Sequence, residues 1–257
     1  MKMKNRYIQT VAFMSMLLLS LTSLFTSCAR EPIEVDDASN TFDLVIRPRW
    51  IELEKRPTGF TAIIYPTDGS QPKTYLSNNV DSIKVQLPAG GYRVLIYNQS
   101  EAEYHTLSFR HMESYYDSQI CLTENTETSC QYPIMAKAFF ANEPAEFASD
   151  CCNELYVDPK DIEIARRDKQ RIHKVLTMKP HVIISTLYVK LRVQGVYNGY
   201  AQEGCIDGTA GSVFPTYWDS GEDRAAELIT NWKVLYDGVS SEWGYYEGKV
   251  RVGGMPG

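Results

Sequence analysis

A chain of 257 residues is long enough for one or two domains at roughly 100–150 residues each. Its formal net charge of −6 excludes a general nucleic-acid binder, which needs a basic face to neutralise phosphates. Seventeen Tyr, nine Phe and four Trp are generous for this size, and aromatic side chains favour strands.

The chain starts basic, with Lys2, Lys4 and Arg6, and runs on through an apolar stretch from Val11 to Phe25. A basic flank, an apolar stretch and small residues before a cleavage point make the order of a secretory leader. Ser15, Ser20, Thr22 and Ser23 interrupt this stretch, which is shorter than the ~18 apolar residues a membrane span needs. Small Thr26 and Ser27 stand directly before Cys28, an arrangement similar to a bacterial lipobox. That resemblance implies removal of residues 1–27 and a lipid on Cys28, which would tether the protein to a membrane. Loss of the leader's three basic residues takes the net charge from −6 to −9. Residues 28–40, acidic at Glu31, Glu34, Asp36 and Asp37, read as a tether between lipid and folded body.

Phe42, Leu44 and Ile46 alternate with Asp43, Val45 and Arg47, the signature of a half-buried strand. Thr61 to Tyr65 is a second apolar strand, stopped by Pro66-Thr67-Asp68-Gly69. Ile83, Val85 and Leu87 alternate with Ser82, Lys84 and Gln86 until Pro88-Ala89-Gly90-Gly91 breaks the strand. Tyr92 to Asn98 follows as another. Strand, turn and strand at spacings near ten residues argue for an antiparallel sandwich.

Residues 142–160 turn loop-like, and the domain boundary is placed here, giving an N-terminal sandwich over 41–148 and a C-terminal one over 149–257. Asp158-Pro159 could start a helix. The alternation of Ile162 and Ile164, ahead of the polar run Arg166 to Arg171, favours a strand and hairpin loop over 161–174 instead. Leu187, Val189, Leu191 and Val193 then form the clearest alternating strand in the chain, expected to face the core of the second domain. Trp232, Val234 and Tyr236 form a later strand closed by Asp237-Gly238. No segment shows a long helical stripe, so the fold class is all-β.

At this point a resemblance carries further. Tyr65-Pro66-Thr67-Asp68-Gly69, Leu87-Pro88-Ala89-Gly90-Gly91-Tyr92-Arg93-Val94-Leu95-Ile96-Tyr97-Asn98, Asn153-Glu154-Leu155-Tyr156 and Leu176-Thr177-Met178-Lys179-Pro180 resemble a Bacteroidales lipoprotein group related to the fimbrillin and fimbrial-anchor proteins. It implies two tandem transthyretin-like β-sandwiches on an outer-membrane lipoprotein facing outward. It further implies a fimbrial anchor or fimbrillin-like adhesive subunit whose partners are other fimbrial subunits, joined by strand exchange. The chain departs from that pattern after Gly248, where relatives continue through further strand sequence; either the second sandwich lacks strands or the chain is truncated. Arg47 and Arg49, after the first strand, occupy the position where some subunits are cleaved. An anchor must keep its lipid, so no cut is expected there.

Chemistry is sought and not met. The four histidines, His105, His111, His173 and His181, have no spacing for metal ligation or nucleophile activation. Gly208-Thr209-Ala210-Gly211-Ser212 lacks the Gly-Lys-Ser/Thr ending of a phosphate loop, and Glu101 and Glu103 read as loop carboxylates. No enzyme, metal or cofactor is expected. Cys121 and Cys130 flank a polar stretch suited to a hairpin loop, and either a bridge or two buried thiols fit. Asp81-Ser82-Ile83 resembles an O-glycosylation acceptor at Ser82; a plain strand start fits as well. A second functional reading, a glycan-binding lipoprotein of a nutrient-uptake system, rests on Tyr115-Tyr116, Tyr217-Trp218 and Trp243-Gly244-Tyr245-Tyr246.

Overall fold

The computed structural model describes residues 40–126, 138–167, 173–201, 203–236 and 242–254. Residues 1–39, which hold the expected leader, Cys28 and nearly all of the expected tether, lie outside them, as does Cys130. In chain order come strands β1 (Phe42–Pro48), β2 (Phe60–Pro66), β3 (Lys73–Ser77), β4 (Ile83–Leu87), β5 (Gly90–Asn98), β6 (Leu107–Arg110), β7 (Gln119–Leu122), β8 (Ala138–Phe140) and β9 (Ala148–Val157). Helix α1 (Pro159–Arg167), β10 (His173–Met178) and β11 (His181–Val182) follow. The rest is β12 (Ser185–Gln194), β13 (Gly204–Ala210), β14 (Ser212–Phe214), β15 (Asp219–Ser220), β16 (Arg224–Ile229), β17 (Lys233–Tyr236) and β18 (Trp243–Val252). The all-β expectation holds, and nearly all ladders are antiparallel. Among the described residues the two exceptions are β1 with β10 and β16 with β8, both parallel.

β1 is the centre of a three-stranded sheet, order β10-β1-β4, and sends Phe42, Leu44 and Ile46 into the first core. Facing it is a five-stranded sheet, order β11-β9-β5-β2-β3, which contributes Phe60, Ala62, Ile64, Val94, Ile96, Leu155 and Val157. The other face of the same sheet is buried too. Ile63, Tyr65, Leu95 and Tyr97 meet Leu107, Ile120, Leu122 and Val213 from a four-stranded sheet, order β15-β14-β7-β6. This explains why β2 and the middle of β5 read as unbroken apolar runs: both pleat faces lie against a layer. The Pro88-to-Gly91 turn has a steric basis. Gly90 has φ +153°, and a Cβ on Gly91 would stand 2.5 Å from the Thr67 hydroxyl.

The division expected at 148/149 falls inside β9, and strands cross it in both directions. β9 pairs with β5, and β10 pairs with β1, so both complete the N-terminal sandwich. β8 pairs with β16, and β14 with β7, joining late segments to early ones. The strand expected to open the 161–174 segment is corrected: residues 159–167 form α1, and residues 168–172 of the expected hairpin loop lie outside the described residues. Asp158 caps it, its carboxylate accepting the Lys160 N–H at 2.9 Å, and Pro159 pre-sets the first turn. Ile162 is buried against the first core while Ile164 is 39% exposed, so their spacing was not a strand alternation.

β12, β18 and β17 form a third region, with β18 in the centre. Leu187 and Val189 pack with Ile206 and Trp232 around Ile229, Val250 and Val252. The alternation of β12 is real, but its far half is not core. Leu191 is 46% exposed, because the covering cluster ends near Val189. Among the described residues no helix is long and apolar enough to cross a membrane.

Candidate functional site

The β12-β18-β17 sheet is where the fold leaves most unfinished. β12 pairs with β18 over its whole length, from Ser185 opposite Val252 to Gln194 opposite Trp243. Its other side has no strand partner among the described residues. A ten-residue edge therefore presents backbone donors and acceptors outward, the condition for pairing with another chain. β17, the opposite edge, is four residues long. Below the β12 edge the inner face stays partly open at Leu191. Past it Tyr197 and Tyr236 stack at 4.5 Å and 14°, each more than half exposed.

The outer face of this sheet is cationic and aromatic. Lys190 pairs with Glu247 at 2.7 Å and lies 4.5 Å above the Tyr245 ring; Arg192 lies 4.5 Å above Trp243. Tyr246 points inward and is buried, its hydroxyl donating to the Gly199 carbonyl at 2.7 Å. Of the aromatic groups proposed for sugar stacking, Tyr115 is likewise core, donating to Asn153 at 2.5 Å. Tyr116, Tyr217 and Trp218 remain exposed.

One buried acid was not legible in the sequence. Glu227 on β16 is fully buried between Ala225 of the second core and Ile229 of the third cluster. The Thr209 hydroxyl lies 2.9 and 2.7 Å from its two carboxylate oxygens. Burial pushes its pKa up to about 7; Thr209 pulls the other way, and nearby Asp207 adds to the rise. A lone carboxylate on a short strand reads as solvent-facing, and no local signal marks this one as interior.

The cysteines are scattered. Cys151 and Cys152 are neighbours on β9 and so face opposite layers, Cys151 toward the second core and Cys152 toward the first. Cys151 Sγ donates to the Thr216 carbonyl at 2.9 Å. Cys121 is a buried free thiol whose pKa burial pushes up; Cys130, its expected partner, lies outside the described residues. Among the described residues no group of three or more His, Cys, Asp and Glu is placed to hold a metal. Ser82 is half-buried just before β4, and its neighbour Asp81 is ion-paired with Arg56. Arg47 lies within β1, opposite Thr177 of β10, and Arg49 donates its N–H to the Met178 carbonyl at 2.8 Å.

A family model described as a domain of unknown function, DUF5119, matches residues 27–228. The chain belongs to that family. No curated protein matches it. Among solved structures it is similar to a candidate adhesin from Bacteroides ovatus, with a TM-score of 0.59 and 16% identity, covering 87% of this chain and 70% of that one. A candidate adhesin from Bacteroides thetaiotaomicron gives 0.50 and 11%, covering 82% and 69%. The fimbrial anchor protein Mfa2 from Porphyromonas gingivalis gives 0.46 and 7%, covering 81% and 72%, too low to establish a shared fold. At these identities the DUF5119 chain shares the β-sandwich fold of the two Bacteroides proteins, and the likeness speaks to fold alone.

Proposed function

We propose that this protein is a non-enzymatic cell-surface lipoprotein, held in the outer membrane through Cys28, that serves as a fimbrial anchor or fimbrillin-like adhesive subunit. The observation that carries the reading is the ten-residue β12 edge above a half-open inner face. A strand from a neighbouring subunit would satisfy that edge by β-augmentation, with Leu191 and Val193 offering contact to its alternate side chains. The fold shared with two candidate adhesins supports a surface role. Arg47 supports an uncut anchor: it sits in the central strand of a sheet, where cleavage would need β1 to leave both neighbours.

A photo-crosslinking residue at position 191, in the chain expressed on its native cells, tests assembly. Crosslinks to a second fimbrial polypeptide are expected, and their absence from assembled fractions would reject strand acceptance at β12. Attachment has its own test. Cys28→Ser should move the protein from membrane to soluble fractions, since stable anchoring depends on the acyl chains. Unchanged fractionation would reject the lipid.

A further inference from the structure

Two hairpin tips meet at one end of the four-stranded sheet. β7 pairs antiparallel with β14, Cys121 opposite Ser212 and Ile120 opposite Val213. The β6–β7 connection, residues 111–118, and the β14–β15 connection, residues 215–218, therefore emerge side by side. Between them lies an open cavity of about 490 Å³, lined by His111, Glu113, Asp117, Gln119, Phe214 and Tyr217. That size falls among small-ligand pockets, about 300–1,000 Å³.

The cavity has an aromatic wall and a hydrogen-bonding rim. Phe214 and Tyr217 stack at 4.8 Å and 19°, and Tyr217 is 47% exposed. Ser114 donates to Asp117 Oδ2 at 2.6 Å, which orients that carboxylate. Glu113, His111 and Gln119 add further polar groups. Both tips are pinned from beneath. Ser149 and Cys151 of β9 donate to the carbonyls of Pro215 and Thr216 at 2.8 and 2.9 Å. Tyr65 donates to the Met112 carbonyl at 2.9 Å. His111 and Trp218, one in each tip, hold φ of +54° and +56°, a conformation that side-chain-bearing residues rarely adopt. Fixed tips mean that little ordering is left for a ligand to impose.

A flat aromatic ring beside hydrogen-bond acceptors suits a ring that is apolar on one face and hydroxylated at its edge. Two carboxylates on the rim accept from hydroxyls and repel an acidic sugar. We propose that this cavity binds a neutral pyranose unit of a surface glycan, its ring laid on Tyr217 and its hydroxyls donating to Asp117 and Glu113. The biological use rests on the surface-adhesin reading above, though the binding itself does not.

The full-length chain in mild detergent can be tested by saturation-transfer NMR with the methyl pyranosides of glucose, galactose, mannose and N-acetylglucosamine, and with methyl glucuronoside as the charged counterpart. Binding of at least one neutral sugar is expected, with transfer strongest at ring C–H protons. Tyr217→Ala should weaken it about tenfold, the scale of one lost stacking contact, while Tyr217→Phe keeps it. Asp117→Asn should relax the preference for neutral over acidic sugar. An unchanged circular dichroism spectrum of each variant guards against misfolding. No transfer to any neutral sugar, an affinity unchanged by Tyr217→Ala, or glucuronoside bound as well as glucoside would each overturn the site. Antibody labelling of intact cells separates the two readings. Sugar binding without surface labelling sinks the adhesin role and keeps the site, whereas labelling without sugar binding sinks the site alone.

Discussion

The strands β1 and β12 are built from the same alternation and end in opposite states. In β1, Phe42, Leu44 and Ile46 are 4% exposed or less, because a five-stranded sheet covers their whole length. In β12 the cover stops after Val189, and Leu191 stays nearly half exposed. Alternation selects a face, while the length of the opposing layer decides how much of that face is buried. The N-terminal sandwich is thus a closed scaffold, and the β12 sheet is a surface with one long edge and one half-open face.

Truncating the closed side should give the largest effect. Leu44→Ala removes a fully buried side chain from the centre of the first core and should cost about 2–5 kcal/mol, read as a drop in urea midpoint at constant m. A loss below about 1 kcal/mol would mean that β1 is not clamped as described.

Glu227 sharpens the comparison at the seam between the regions. Its folded-state pKa of about 7 lies above the ordinary 4.5, so the fold prefers the protonated acid. The sign follows: its contribution is fully present below about pH 4.5, declines as pH rises to about 7, and is flat above that. The cost at pH 8 is on the order of 3 kcal/mol relative to pH 4.5. Glu227→Gln should therefore raise stability at pH 8 and flatten the difference between pH 5 and pH 8. Hydrogen exchange should place the gain in β13, β16 and β18 and leave β1 unchanged. A variant as pH-sensitive as the parent would show that Glu227 is not the responsible group.

Smaller effects are expected toward the open side. Tyr246→Phe deletes the hydroxyl that holds Gly199 and should cost about 1 kcal/mol, measured by thermal unfolding. Leu191→Ala should be the mildest, below about 1 kcal/mol, since half of that side chain is already in water. A cost near that of Leu44→Ala would erase the contrast between β1 and β12 and show that some layer covers the β12 face.

Local spacing by itself determined β1, β2, β4 and β5 of the first sandwich. Phe42 to Ile46 and Ile83 to Leu87 alternate because one face of each meets core, and the turn at Pro88 to Gly91 follows from steric freedom at two glycines. The unbroken run of β2 announced burial on both faces without naming the layers. The helix at Pro159 had its cap and its proline in plain view, and the chance spacing of Ile162 and Ile164 with the polar run from Arg166 argued against it. Other features belong to tertiary structure alone. Whether β9 and β10 close the first sandwich or open a second domain depends on pairings with β5 and β1 across 50 or more residues, and no local pattern encodes such a partner. The same holds for the burial of Glu227, the exposure of Leu191 and the meeting of the two hairpin tips around Tyr217. Each depends on what lies opposite a side chain, and a sequence records only what lies beside it.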